Sequence, residues 1–311
     1  MIKFALIKER KTPPDRRVVF SPQKLQEAKK RFPEADFKVE SSDIRIFSDQ
    51  EYRDAGFQVC KDIRDCDVML GVKEVPIPEL IPNKKYFFFS HTIKKQPYNR
   101  DLLREIIKNN IELYDHEVIV NEGGHRLIGF GRYAGLVGAY NGFRAIGLKK
   151  GIFELPKAET LPDLNAMMAE LDKIKLPAMK IVLTGSGKVA RGAQEILEHL
   201  LIQKVNVEEY LQASFEEPVY CHIDVLDYNK RKDGRTGDVQ EFYRHPDLYE
   251  SNFLRFTRTS DFFIAGHFYG DGAPAFYTAE DVKSPAFKIR YVADISCDIN
   301  GPIASTIRPS T

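Results

Sequence analysis

The sequence predicts an α/β protein of two domains, each built on a parallel sheet flanked by helices. Three observations carry this. Short apolar runs of strand length alternate with helical patterns along the first half. A glycine-rich loop at residues 185–192 follows a strand and opens a helix, as in a dinucleotide-binding βα turn. Residues 1–180 precede that loop, enough chain for a domain with its own core.

Residues 2–7 read as the first strand. A helix follows over residues 21–32, with Ser21 at its N-cap and Pro22 at its first position. Residues 36–41 read as a strand. Residues 67–72 and 86–89 are continuous apolar runs bounded by charge or turns, which suits parallel strands buried on both faces. An amphipathic helix spans 100–109, and a strand begins at 111–114. Residues 135–148, rich in Gly and Ala, read as a long, closely packed helix leaving the first domain. Residues 149–178 carry Pro156, Pro162 and Pro177 around a helical stretch at 164–174 and connect the domains. In the second half, residues 180–184 are the strand before the glycine loop, and 193–201 continue the helix after it. Further strands are expected at 204–207, 261–265 and 291–295. Residues 227–250 form a polar, turn-rich insert. Its basic run, Lys230-Arg231-Lys232-Asp233-Gly234-Arg235, reads as a solvated loop, because aromatic residues are sparse and nearby acids balance it. There is no internal repeat.

The formal net charge of +1 gives no global pull towards nucleic acid or an anionic membrane. No apolar run approaches the ~20 residues of a spanning helix. The first seven residues are strand-sized and lead into charge, unlike a signal peptide. Cys60, Cys66, Cys221 and Cys297 show no CxxC spacing, so neither zinc nor a disulfide framework is expected, and a reducing cytoplasm is the default.

Chemistry concentrates at a few places. The run Gly185-Ser186-Gly187-Lys188-Val189 is of the kind that lets backbone approach a pyrophosphate, and small residues at Gly187, Ala190 and Gly192 agree with it. An acid about 20 residues on would meet the ribose hydroxyls of NAD. That window reads Val205-Asn206-Val207-Glu208-Glu209, with Asn206 where the acid is expected, so NAD and NADP both stay open. Lys73 and His91 each follow an apolar strand, which puts them at the carboxyl ends of adjacent strands, where open α/β sheets bind ligands. A lysine and a histidine there divide acid–base work, although taken singly each is an ordinary loop residue. The loop over residues 8–22 is dense in guanidinium donors suited to a carboxylate, and Arg126 is a second candidate.

Together these pieces resemble the alanine dehydrogenase and saccharopine dehydrogenase superfamily. Residues 8–22, 71–76, Ser90-His91, residues 113–117, Phe130-Gly131-Arg132-Tyr133-Ala134-Gly135 and residues 292–296 follow in its order. The second half is more similar still to the lysine–ketoglutarate reductase domain of aminoadipate semialdehyde synthase, through residues 184–194 and His245-Pro246-Asp247-Leu248-Tyr249. The likeness covers nearly the whole chain.

The resemblance implies two Rossmann-like domains with the active site in the cleft between them. Residues 1–135 would be the substrate domain and 136–300 the NAD(P)-binding domain. Family members continue beyond this point, so residues 301–311 would begin a return to the first domain, cut short at Thr311. The implied reaction joins lysine and 2-oxoglutarate through saccharopine, with hydride passing to or from NAD or NADP. Lys73 and His91 match the acid–base pair, Arg17 and Arg126 the holders of substrate carboxylates, and Glu74 and Glu117 the acids that tune the site. Asp294 matches an aspartate near the nicotinamide and substrate amine. Gly266, His267, Phe268 and Tyr269 fall on the segment lining the nicotinamide. His91 is assigned the amine proton and Lys73 the hydration and collapse steps, with the reverse order also open. Arg132 departs from the family by placing a charge in a segment that is often apolar. The expected partner is a small amino acid or 2-oxo acid, with no metal, nucleic acid or membrane, and a homo-oligomer is left open. An alanine dehydrogenase-like enzyme and a regulatory module that binds nucleotide without turnover are the alternatives.

Overall fold

The computed structural model describes all residues except 271, 297, 298, 300 and 309–311, so Cys297 and the last three residues lie outside the description. The chain divides into two compact units, Met1–Gly129 and Phe130–Thr311.

In the first unit, a parallel sheet of six strands is formed among the described residues. They are β1 (Lys3–Leu6), β2 (Asp36–Glu40), β3 (Gln58–Cys60), β4 (Val68–Lys73), β5 (Lys85–Phe89) and β6 (Glu112–Asp115), in the order β3-β2-β1-β4-β5-β6. β4 and β5 are interior strands, which explains their unbroken apolar runs. One core group joins Ala5, Met69, Tyr86 and Phe88 to Leu102 and Ile106 of helix α3 (Arg100–Lys108). A second joins Leu6, Phe37 and Val39 to Leu25 of α1 (Pro22–Arg31) and Tyr52 of α2 (Asp49–Asp54). Ser21 caps α1 by accepting from Lys24 N at 3.3 Å. β4 carries an irregularity: its register with β5 moves from Leu70 opposite Phe87 to Lys73 opposite Phe89, one residue extra on β4.

The second unit opens with α4 (Gly131–Lys150), which starts earlier than the small-residue pattern alone suggests, then α5 (Leu164–Leu171). Its parallel sheet contains β7 (Lys180–Thr184), β8 (Gln203–Lys204), β9 (Val219–Ile223), β12 (Phe262–Ala265) and β13 (Tyr291–Asp294), in the order β13-β12-β7-β9-β8. The polar insert forms a small antiparallel ribbon, β10 (Asn229–Arg231) with β11 (Tyr249–Ser251). Two sequence expectations change here. The strand expected at 204–207 is only the two-residue β8, because Asn206 caps helix α7 (Val207–Gln212) and ends it. The place beside β7 goes instead to β9, a strand the sequence reading did not identify.

α4 packs on α6 (Lys188–His199) at backbone distance. A Cβ on Gly135 would stand 1.9 Å from Val189 O, and one on Gly192 would stand 2.0 Å from Arg132 O. The small residues flanking the turn are therefore a packing requirement. Arg132 is also accounted for: its guanidinium grips Glu195 on α6 in a two-pronged pair at 2.7 and 2.6 Å.

Candidate active site

The carboxyl edge of the first sheet gathers the predicted substrate residues. Lys73 ends β4, His91 lies two residues beyond β5, and Glu117 lies two beyond β6. His91 adopts φ +57°, a left-handed conformation that costs a non-glycine residue on the order of 1–2 kcal/mol. Neighbours hold it there. Asn99 Nδ2 donates to its carbonyl at 3.2 Å, and the preceding Ser90 hydroxyl donates to the buried carboxylate of Asp115. Asp115 also accepts from Glu117 N at 2.8 Å, so one carboxylate ties the His91 loop to the Glu117 loop.

His91 Nδ1 lies 3.2 Å from Glu117 Oε2. The same carboxylate takes Arg126 Nη2 at 2.6 Å and faces Lys94 Nζ at 3.6 Å, while Arg126 Nε donates to Glu117 O at 2.8 Å. Glu74 accepts from Lys11 Nζ at 2.5 Å, and its Oε2 is buried without a hydrogen-bond partner among the described residues. Arg17 is held by Asp15 through its Nε at 2.9 Å and also through Nη2. Both predicted carboxylate-binding arginines are thus already bound to acids of the chain.

The electrostatics push Lys73 and His91 towards their neutral forms. Burial pushes Lys73 below the ordinary lysine value, and the charges of Arg17 and Lys11 add to it. Burial likewise pushes His91 down, helped by Lys73 and Lys94. Burial raises Glu74, but the Lys11 hydrogen bond and charge outweigh it and leave the carboxyl low.

In the second unit, β7 runs into a turn at Gly185 with φ +94°, where a Cβ would stand 2.6 Å from His267 Cα. Glycine is required there on both counts. Gly187 is the N-cap of α6, with no side-chain cap and nothing within 4 Å of an added Cβ among the described residues. Ser186 and Lys188 are exposed beside it. Gly266 follows β12, and a Cβ on it would meet Ala190 Cα at 2.9 Å. His267 is buried, with Nδ1 2.7 Å from Thr184 Oγ1 and Nε2 without a hydrogen-bond partner among the described residues; burial pushes its pKa down to about 4. Phe268 is 84% exposed. Asp294 ends β13 and accepts from Ser296 Oγ at 2.8 Å and Thr306 Oγ1 at 2.6 Å. Among the described residues, no group of three or more His, Cys, Asp or Glu could hold a metal, and no helix is long and apolar enough to cross a membrane.

Residues 5–137 match the family described as alanine dehydrogenase/PNT, N-terminal domain. The first unit, Met1–Gly129, lies almost wholly within the matched residues. Beyond this domain, likeness extends along most of the chain. It is 30% identical over 309 residues to the mitochondrial alpha-aminoadipic semialdehyde synthase of Bos taurus, covering 85% of this chain and 33% of that one. It is 26% identical over 285 residues to the saccharopine dehydrogenase [NAD(+), L-lysine-forming] of Yarrowia lipolytica, covering 85% and 67%. The chain therefore spans about a third of the length of the semialdehyde synthases it matches. In fold it resembles an L-alanine dehydrogenase at a TM-score of 0.58 and 16% identity, covering 93% of this chain and 72% of that one. It also resembles the transhydrogenase of Sinorhizobium meliloti at 0.59 and 16%, covering 97% and 81%.

The first unit brings Lys73, Glu74, His91, Glu117, Arg17 and Arg126 to the end of β4 and the loops beyond one sheet edge. Sequence reasoning gave no role to Glu9, Asp115 or His116, which support that edge through buried hydrogen bonds. It also passed over Asp224. The five-residue run Val219–Ile223, bounded by Pro218 and Asp224, carried the strand signal that would have found it. Asn206 instead sits beyond the edge strand β8, accepting from Glu209 N at 2.9 Å.

Proposed function

We propose that the chain is a saccharopine dehydrogenase-type oxidoreductase, moving hydride between NAD or NADP and the secondary amine of saccharopine on the side that joins lysine to 2-oxoglutarate. The observation that carries this is the sheet edge where Lys73 and His91 stand among two arginines and two carboxylates. The likeness to lysine-forming saccharopine dehydrogenases supports it.

Saccharopine bears several carboxylates, and Arg17 and Arg126 offer planar donors for two of them. His91 donates from Nδ1 to Glu117, which leaves Nε2 as the proton acceptor. In oxidation, hydride leaves the carbon that carries the secondary amine, and the amine proton passes to His91 Nε2, giving an imine. Lys73, as the neutral amine, takes a proton from the water that adds to the imine carbon. Nitrogen takes up both protons that the water gives up, one on addition and one from the carbinolamine hydroxyl as it becomes the carbonyl, and the carbon–nitrogen bond breaks to release lysine and 2-oxoglutarate. A bound nicotinamide supplies the hydride acceptor. The residues fit such a group: the left-handed Gly185, the open N-cap at Gly187 and the uncapped first turn of α6 suit a pyrophosphate. Ser186, Lys188 and Val189 would border the pyrophosphate, and Gly266, His267, Phe268 and Asp294 the nicotinamide. The ribose would meet Asp224 at the end of β9 rather than Asn206, which favours NAD.

The match to the alanine dehydrogenase/PNT family also favours a second reading, in which the same residues act on a smaller amino acid. Nicotinamide oxidation by the purified chain separates the two. Turnover with lysine plus 2-oxoglutarate, but not with pyruvate plus ammonia, is expected. The opposite pattern selects the smaller substrate, and dinucleotide binding without turnover selects a regulatory module.

A further inference from the structure

The irregularity in β4 places three backbone groups just before the Lys73 side chain, and side chains supply their partners. Val72 N donates to Glu9 Oε1 at 2.7 Å, and Lys73 N donates to Glu9 Oε2 at 2.9 Å. Gly71 O accepts from His116 Nε2 at 3.0 Å. Glu9 comes from the loop after β1, which stays paired to β4 only as far as Ile7 N on Leu70 O at 3.0 Å. His116 comes from beyond β6, with its own N–H on Phe88 O at 3.1 Å, and its ring reaches past β5 between Phe87 and Phe89, at ring-centroid distances of 6.3 and 5.2 Å.

Both groups are costly to bury. Glu9 and His116 are each 7% exposed. A carbonyl only accepts, so His116 Nε2 carries the proton, and its Nδ1 is left buried without a hydrogen-bond partner among the described residues. An apolar residue would fill the same space without stranding a nitrogen. What the histidine contributes is therefore its hydrogen bond to Gly71.

We propose that His116 is a positioning residue which, with Glu9, clamps the bulge of β4 and sets where the Lys73 side chain points. The clamp rests on the reading of Lys73 as an acid–base residue. A bulge is a place where a strand re-aims a side chain, and an unsupported one relaxes. Without the His116 bond, Gly71 O loses its anchor and Lys73 leaves the position where Arg17 and Lys11 face it.

The test reads Lys73 directly. In the full chain, the rate of Lys73 acylation by acetic anhydride is followed against pH by peptide mass spectrometry, with exposed Lys24 as internal reference. His116→Leu is expected to melt cooperatively, yet to move the Lys73 profile towards that of Lys24. His116→Gln, whose amide can donate to the same carbonyl, is expected to restore the profile. In saccharopine oxidation, His116→Leu should lower kcat about tenfold or more while KM stays within about twofold. An unchanged Lys73 profile in folded His116→Leu overturns the clamp. If that variant does not melt cooperatively, the profile of Glu9→Gln decides in its place. The labelling needs no substrate, so a failed clamp is distinguishable from a failed saccharopine reading, which appears as no turnover in the unaltered chain.

Discussion

Burial is the largest influence pushing the His91 pKa down, with Lys73 and Lys94 adding to it. A base works in its unprotonated form, so activity falls as pH drops through its pKa, and a lowered pKa moves that acid limb down. Lys94 is half exposed and sits 3.6 Å from the Glu117 carboxylate that His91 also meets. Lys94→Gln removes one repelling charge, so the acid limb of kcat/KM for saccharopine oxidation should move to higher pH, by less than about one unit given solvent screening. A limb that stays in place, or moves down, would count against His91 as the base. The sequence placed Lys73 and His91 at strand ends, where they stand, but taken singly each read as an ordinary loop residue, and their roles came from the family resemblance. His116 was not, because nothing in its neighbourhood of the sequence says that its ring reaches back to Gly71 on β4.

The βα turn shows two kinds of glycine. Gly135 and Gly192 let α4 and α6 approach at backbone distance, whereas Gly187 faces open space. Their alanine variants should therefore separate. Gly192→Ala is expected to destabilise by about 1–3 kcal/mol or more, as overpacking does, seen as a melting temperature lower by several degrees. Gly187→Ala has a φ of −79° that alanine adopts freely, so its stability should change by less than about 1 kcal/mol. Its dinucleotide affinity should nonetheless fall about tenfold or more, because the methyl group keeps phosphate from the backbone. Normal binding by Gly187→Ala would place the pyrophosphate elsewhere. The turn was legible because its glycine spacing is local. That Gly192 is needed for the close approach of two helices could only be seen once α4 lay across α6.

At the scale of the whole molecule, the alternation of strands and helices was enough to read an α/β protein with parallel sheets, and the fold resembles that of alanine dehydrogenase. Strand order was not legible. A regular count of residues after the glycine turn leads to Asn206, but the chain visits the sheet edge at β8 before returning to β9 beside β7. The carboxylates at the end of β9 are Asp224 and Asp227, which face each other's backbone in a mutual cap. Two acids there would repel a 2′-phosphate, so turnover should be faster with NADH than with NADPH, and Asp224→Ser should narrow the ratio. Equal rates with the two cofactors in the unaltered chain would rule out Asp224 as the group that chooses between them.

The pairs Arg126–Glu117, Arg17–Asp15 and Lys11–Glu74 have a consequence for traffic through the first sheet's edge. Under the proposed function, a carboxylate arriving at any of these three cations would trade places with an acid already seated, so capture and release would be partner exchanges. Affinity would then be set by a small difference between two similar pairings, and a product with the same carboxylates would leave as readily as the substrate came.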